Sequence, residues 1–290
     1  MAAIEVSNLS KHYGDVRAND GLSFAVDEGE IFGYLGPNGA GKTTTIRTLL
    51  GFQVPTDGTA TLLGHDIRDE DALIEAKADI GYLPGDPGLD ETVTGEEYLE
   101  YQGSLKGDSR RDELLELFDP PLDRKIREYS RGNKQMLGIV QAFMHDPDLV
   151  IMDEPTSGLD PLKQGVFNEF LREERARGKT VFFSSHILGE VRRVCDRVGV
   201  IREGKLVALE DVDTLLRRGG KRVRVHTATG LDTVDLGGAV DVERLDDGVQ
   251  FTFAGDYNDL LAFLASYDVV DLEIEEPPLE DVFMHFYGDD

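Results

Sequence analysis

Cysteine, long apolar runs and basic side chains are all scarce in this chain, and each shortage removes a class of explanation. A single cysteine, Cys195, in 290 residues leaves no partner for an intrachain disulfide and suits a reducing cytosol. No apolar run approaches the ~20 residues that a membrane-spanning helix needs, so a membrane part would belong to another chain. The opening MAAIEVSNLS has no basic stretch followed by an apolar one, and no signal peptide is expected from it. Basic residues number 30 against 57 acidic ones, a formal net charge of −27. A surface so short of cations cannot displace counterions from phosphate backbones, and no nucleic-acid partner is expected. The acidic excess is spread along the chain instead of gathered in a tail. That distribution fits solvation in the salt-rich cytoplasm of a halophile, where a Debye length of about 3 Å at 1 M screens self-repulsion.

What is present centres on Gly36 to Thr44, GPNGAGKTT, which fits G-x-x-x-x-G-K-[ST] with Gly36, Gly41, Lys42 and Thr43 in the fixed positions. Glu30–Leu35 before it reads as a short buried strand. Thr44–Leu50 after it reads as a helix stopped by Gly51. Glycines let a backbone turn tightly around an anion with its N–H groups pointing inward, and the helix start adds partial positive charge. Lys42 is placed to bridge β- and γ-phosphates, and Thr43 to put its hydroxyl on Mg²⁺. The length allows one large domain and a small one.

Residues 4 to 35 alternate as antiparallel strands, with Tyr13 between them, an aromatic ring able to stack on a base. Strands are predicted at Thr59–Leu63 and Ile80–Leu83, a helix over 70–78, and a helical insertion from about 94 to 128. The strand Asp148–Met152 ends in Asp153-Glu154. A carboxylate at the end of a buried strand beside a phosphate loop suits a metal held through water, and the next one can polarise an attacking water. Ser130 is a fair N-cap for a helix running from Lys134 to His145, whose start would face a phosphate. Thr180–Ser184 is a further buried strand with His186 just beyond its tip, ahead of a helix over 187–195. Residues 197–201 and 205–208 read as a hairpin turning at Glu203-Gly204. After about residue 216, strands are expected at Arg222–His226, Thr233–Leu236, Gly248–Phe253 and Val269–Ile274, with helices at Asp259–Ala265 and Leu279–Tyr287.

Taken together, these residues resemble an ATP-binding cassette (ABC) ATPase over residues 4 to about 215. The phosphate loop (Gly36, Pro37, Asn38, Gly39, Ala40, Gly41, Lys42, Thr43, Thr44) matches the family's Walker A, and Leu149–Asp153 with Glu154 its Walker B. Tyr129-Ser130-Arg131-Gly132-Asn133 stands at the signature motif, Ser157-Gly158-Leu159-Asp160 at the D-loop, His186 at the switch histidine, and Tyr13 at the adenine-stacking aromatic. Arg131 and Asn133 depart from the family's glycine and glutamine. Gly85, after Pro84, replaces the Q-loop glutamine that helps ligate Mg²⁺, with Asp86 beside it.

The resemblance implies an α/β P-loop fold: a mixed central sheet, an antiparallel β subdomain, a helical subdomain at about 88–140, and a small α+β domain over 216–290. It implies ATP and Mg²⁺ as cofactors, with Thr43 and Asp153 on the metal and Lys42, Glu154 and His186 in catalysis. It further implies cassettes closing head to tail, as a homodimer or with a second cassette, each ATP lying between one P-loop and the other's Ser130 and Gly132. The ending PPLEDVFMHFYG looks like that of ATPase subunits of ABC-2-type exporters of the drug-resistance kind. The expected function is therefore the ATPase of an exporter, cytoplasmic and held peripherally at the membrane by a separate permease. A soluble non-transport ABC ATPase, or a cassette that only binds ATP and regulates, is the alternative.

Overall fold

The structure, a computed structural model, describes residues 1–228, 231, 234–245 and 248–275, the side chains of 216–219 excepted. The chain divides into two compact units, Met1–Glu210 and Asp211–Asp290.

In the first unit, β1 (Ala2–Tyr13) and β2 (Val16–Asp27) pair antiparallel, and β3 (Ile31–Leu35), wholly buried, leads into the phosphate loop and α1 (Lys42–Leu49). Next come β4 (Asp57–Leu62), β5 (His65–Asp66), α2 (Glu70–Ala78) and β6 (Ile80–Leu83). A helical segment holds α3 (Gly95–Lys106), α4 (Arg111–Phe118) and α5 (Arg131–Phe143). Then follow β7 (Leu149–Asp153), α6 (Pro161–Ala176), β8 (Thr180–Ser185), α7 (Leu188–Val194) and the hairpin of β9 (Arg197–Arg202) with β10 (Lys205–Asp211).

These strands form two sheets, β2-β1-β4-β5 and β10-β9-β3-β8-β7-β6. The second is parallel from β9 to β6. Strands buried on both faces read as unbroken apolar runs, which is why IFGYL, LVIMD and TVFFSS were legible as strands. Phe24 of the antiparallel sheet stacks on Phe32 and Phe182 of the parallel one, with centroids 5.8 and 6.2 Å apart, which clamps the layers over the strand that carries the phosphate loop.

Several boundaries move. α5 starts at Arg131, earlier than Lys134, because Ser130 caps it by accepting from Asn133 N at 3.2 Å. α6 occupies a stretch for which no helix was predicted, although Asp160 caps it and Pro161 opens it. Its many charged residues hide a stripe of Phe167, Phe170 and Leu171, all buried.

The second unit holds α8 (Val212–Gly219), β11 (Lys221–Thr227), β12 (Ala239–Leu245), β13 (Gly248–Phe253), α9 (Tyr257–Leu264) and β14 (Val269–Glu275). Its sheet runs β12-β13-β11-β14, and Leu260 and Leu264 of α9 join the sheet's Val223, Val225, Phe251 and Phe253 in one core. The strand expected at Thr233–Leu236 is absent over its described residues. Val234 and Leu236 pack individually against that core, so their alternation marks two anchors and not a ladder. The missing strand is β12 instead. The helix predicted at Leu279–Tyr287 lies outside the described residues.

Candidate active site

The site forms where β3, β8 and β7 end side by side. Leu35 pairs with Ser185, and Ser184 with Asp153, so the loops leaving these strands are neighbours by backbone register alone. The first loop is the phosphate loop. A Cβ on Gly36 would lie 2.4 Å from the Ile201 carbonyl oxygen, and one on Gly41, whose φ is 109°, would lie 2.3 Å from that of Ala18. No side chain fits at either position. Asn19, fully buried on β2, fixes the loop from behind by donating to Gly41 O at 3.3 Å and to Thr45 Oγ1 at 3.0 Å.

The helix start has no side-chain cap, so the free N–H groups of its first turn point at a cavity of about 360 Å³. Asn38, Gly39 and Gly41–Thr44 line this cavity, with Val16 and Arg17 on one side, Glu203 and Gly204 on the other, and Glu154 facing in. Gly36, Pro37 and Ala40 sit behind it. Ala40 is buried, its carbonyl accepting from Gly204 N at 3.0 Å.

Lys42 Nζ donates to the carbonyls of Gly36 at 2.7 Å and Pro37 at 3.2 Å, and lies 3.7 Å from Glu154 Oε1. Burial pulls the pKa of this ammonium down, and the Glu154 and Asp153 carboxylates pull it partly back. Asp153 Oδ2 accepts from Thr43 Oγ1 at 2.6 Å, and its Oδ1 accepts from Ser184 Oγ. Glu154 has a left-handed backbone, φ 50°, unusual for a residue with a long side chain, and its N–H donates to Ser184 O at 3.1 Å. That turn aims its carboxylate at the cavity, where Oε1 lies 3.1 Å from His186 Nδ1.

Gly85 and Asp86 line a second hollow of about 330 Å³ beside Thr43, Asp153 and Glu154. A Cβ on Gly85 would stand 3.6 Å from Asp153 Oδ2, so this position does border the acidic strand end. It carries no side chain to fill the hollow.

The signature residues stand apart from their own phosphate loop: none of Ser130–Asn133 lines its cavity. They touch the D-loop instead. Arg131 Nη2 donates to Ser157 Oγ at 2.6 Å, and the space for a Cβ on Gly132 is taken by the Gly158 carbonyl oxygen at 2.7 Å. Leu159 is buried, and Asp160 accepts from Lys163 N at 3.0 Å as the cap of α6. Tyr13 pairs with Val16 at the hairpin end, and its hydroxyl donates to Gln53 Oε1. Its ring is outside the cavity wall, which Val16 and Arg17 form at that point.

Sequence reasoning passed over Asn19, Ser184, Gln135 and Glu190. Gln135, buried, donates to Pro155 O at 2.8 Å. Ser184 and Gln135 are polar residues inside otherwise buried runs, and that mismatch was the available signal; Asn19 and Glu190 fall off the apolar period of their elements and gave none.

The fold and the phosphate loop define a nucleotide-binding hydrolase. The family described as ABC transporter matches residues 19–157. The Nod factor export ATP-binding protein I of Paraburkholderia xenovorans is 38% identical over 85% of this chain and 80% of its own length. The linearmycin resistance ATP-binding protein LnrL of Bacillus subtilis is 33% identical over 98% of each chain. A solved ATP-binding subunit of an ABC transporter superposes with a TM-score of 0.67 at 32% identity, over 74% of this chain and 92% of that one. The chain belongs to the ABC transporter ATP-binding subunits. It binds ATP and is an ATP hydrolase.

Proposed function

We propose that this chain is the ATPase of an ABC-2-type exporter, working at the inner face of the cell membrane on a separate permease. Among the described residues no helix is long and apolar enough to cross a membrane. The export and resistance functions in the names of its relatives support the direction of transport. The observation that carries the reading is the meeting of Lys42, Thr43, Asp153, Glu154 and His186 at one strand edge.

In this reading the free N–H groups of the phosphate loop and Lys42 hold the β- and γ-phosphates, and Tyr13, exposed beyond the cavity wall of Val16 and Arg17, packs only against an adenine that extends outside that cavity. Thr43 Oγ1 and Asp153, hard oxygen donors already in contact, suit Mg²⁺, which would neutralise phosphate charge. Glu154 orients and deprotonates water, and His186 fixes the Glu154 carboxylate while reaching toward the γ-phosphate. Ser130 and Gly132, remote from their own cavity, serve the nucleotide of a second cassette, with the D-loop Ser157–Asp160 between.

Replacing Glu154 by Gln tests this directly. Hydrolysis should fall by roughly 10²–10⁴, about 3–5 kcal/mol of barrier, while ATP binding persists and an ATP-bound dimer accumulates. Near-parental hydrolysis would remove Glu154 from the mechanism. A pull-down from native membranes in high salt should recover a polytopic membrane protein; ribosomal components without one would sink the transporter role.

A further inference from the structure

Glu190 belongs to none of the family motifs named above, yet it joins two of their loops. It lies in the first turn of α7. Its Oε1 accepts from Thr156 Oγ1, and its Oε2 accepts from Ser185 Oγ at 2.5 Å. Thr156 follows Glu154-Pro155 and precedes the D-loop; Ser185 directly precedes His186. Both hydroxyl residues are buried, Thr156 at 6% and Ser185 at 1% exposure, so neither can turn to water for an acceptor. Ser185 is tied further: its Oγ accepts from Ile187 N at 2.9 Å, and its carbonyl accepts from Gly36 N at 3.1 Å. One carboxylate thus clasps the outlet of β7 to the outlet of β8. It does so two residues beyond Glu154 on one side and one residue before His186 on the other.

We propose that Glu190 is a positioning residue for ATP hydrolysis, holding the loops of Glu154 and His186 in the register that gives their 3.1 Å contact. The inference rests on the roles given to Glu154 and His186 under the proposed function. Each hydroxyl has one proton, and Glu190 offers the shortest acceptor to both, one oxygen to each; the other acceptor within reach of Ser185 Oγ is the Ile187 carbonyl, at 3.4 Å. An alanine there removes the side-chain clasp between the two loops while their main-chain ties remain, and the Glu154 carboxylate loses the fixed direction on which water activation depends. Misplacement of an orienting group by about 1 Å costs on the order of 10²-fold in rate. The phosphate loop and Lys42 are untouched by the change, so ATP affinity should hold.

The test is a double-mutant cycle on the full chain, with steady-state hydrolysis, ATP affinity and melting measured for Glu190→Ala, His186→Ala and the pair. Glu190→Ala should lower kcat by about ten-fold or more with ATP affinity changed less than about two-fold. On the His186→Ala background it should add less than about a two-fold loss, because the contact it serves is already gone. An equal loss on both backgrounds, or a parental kcat for Glu190→Ala beside a slow His186→Ala, overturns the positioning role alone. A parental rate for His186→Ala overturns the role of the histidine and this inference with it. Should Glu190→Ala not fold, Thr156→Val and Ser185→Ala each delete one donor. Each should slow hydrolysis in the parental chain and leave the His186→Ala rate unchanged; a loss on both backgrounds overturns the proposal.

Discussion

Gly132 and Gly158 are in backbone contact: a Cβ on the first would lie 2.7 Å from the carbonyl oxygen of the second. The start of the signature helix and the D-loop therefore meet within one chain, and Arg131 crosses the same seam to Ser157. Gly158, at φ 80°, has its own Cβ position 2.8 Å from Arg131 Cγ. Gly158→Ala should cost about 1–3 kcal/mol from the left-handed backbone and displace Arg131. Lower hydrolysis with a modest drop in melting temperature is the expected result. A parental rate would show that the seam carries no function.

Lys42 holds carbonyls of its own loop at 2.7 and 3.2 Å, contacts that nucleotide phosphates would replace. Charge-assisted hydrogen bonds are worth about 1.5–3 kcal/mol, so Lys42→Ala should weaken ATP binding by roughly ten- to hundred-fold. Calorimetric titration of ATP gives the number. Unaltered affinity would contradict the assignment.

How much of this was legible beforehand depended on whether a residue acts through its neighbours in sequence. The phosphate loop, Asp153-Glu154 and His186 sit at the ends of apolar runs, and position plus residue type sufficed. Asn19, Ser184 and Glu190 act across 26, 31 and 34 residues, on Thr45, Asp153 and Thr156, and no local pattern encodes such pairings. α6 escaped because charge outweighs its buried stripe, and β12 because only one edge of it is covered. The Thr233–Leu236 alternation shows the opposite error, a period-2 signal produced by two packing anchors. The division of the chain at Glu210/Asp211 lies five residues before the boundary at 215 expected from sequence.

Arg110 is 6% exposed and forms a two-pronged ion pair with buried Glu174, at 2.7 and 2.8 Å. It stands at the start of α4, and Glu174 on α6, so the pair ties the helical segment to the sheet's covering helix. Arg110→Ala takes the closer of its two cations from a buried carboxylate, leaving Arg177 Nη1 at 3.5 Å, and should destabilise by up to the about 3–5 kcal/mol of a buried pair broken outright. Adding Glu174→Leu to Arg110→Met should recover part of the loss. Denaturant melts of the variants decide it, and a loss under about 1 kcal/mol for Arg110→Ala would refute the buried-pair account.

His145 should make the fold acid-sensitive. Burial, with Lys106 nearby, pushes its pKa down from 6.5 to about 4, and its Nε2 has no partner among the described residues. Between those values the unfolded chain binds the proton and the folded one does not. The stability is thus fully present above about pH 6.5 and is lost as pH falls toward 4. His145→Asn should lose less stability than the parent between pH 7 and 4.5. Parallel decline of both would exonerate the histidine.

The charge of −27 predicts a salt requirement. Melting temperature should climb from about 0.1 M to about 2 M KCl as the Debye length shortens from roughly 10 Å to below 3 Å. A flat profile would mean that the acidic residues are already spaced widely enough not to repel.

The register that sets Leu35 beside Ser185 and Ser184 beside Asp153 has a further consequence for how such a chain can change over generations. The reacting groups are aligned by main-chain ladders and by enclosed partners, neither of which depends on what the outer faces carry. Solvent-facing positions are then free to drift toward aspartate and glutamate, one substitution at a time, without a compensating change in the machinery. Adaptation to the medium and preservation of the engine become separate evolutionary problems, solved on separate atoms.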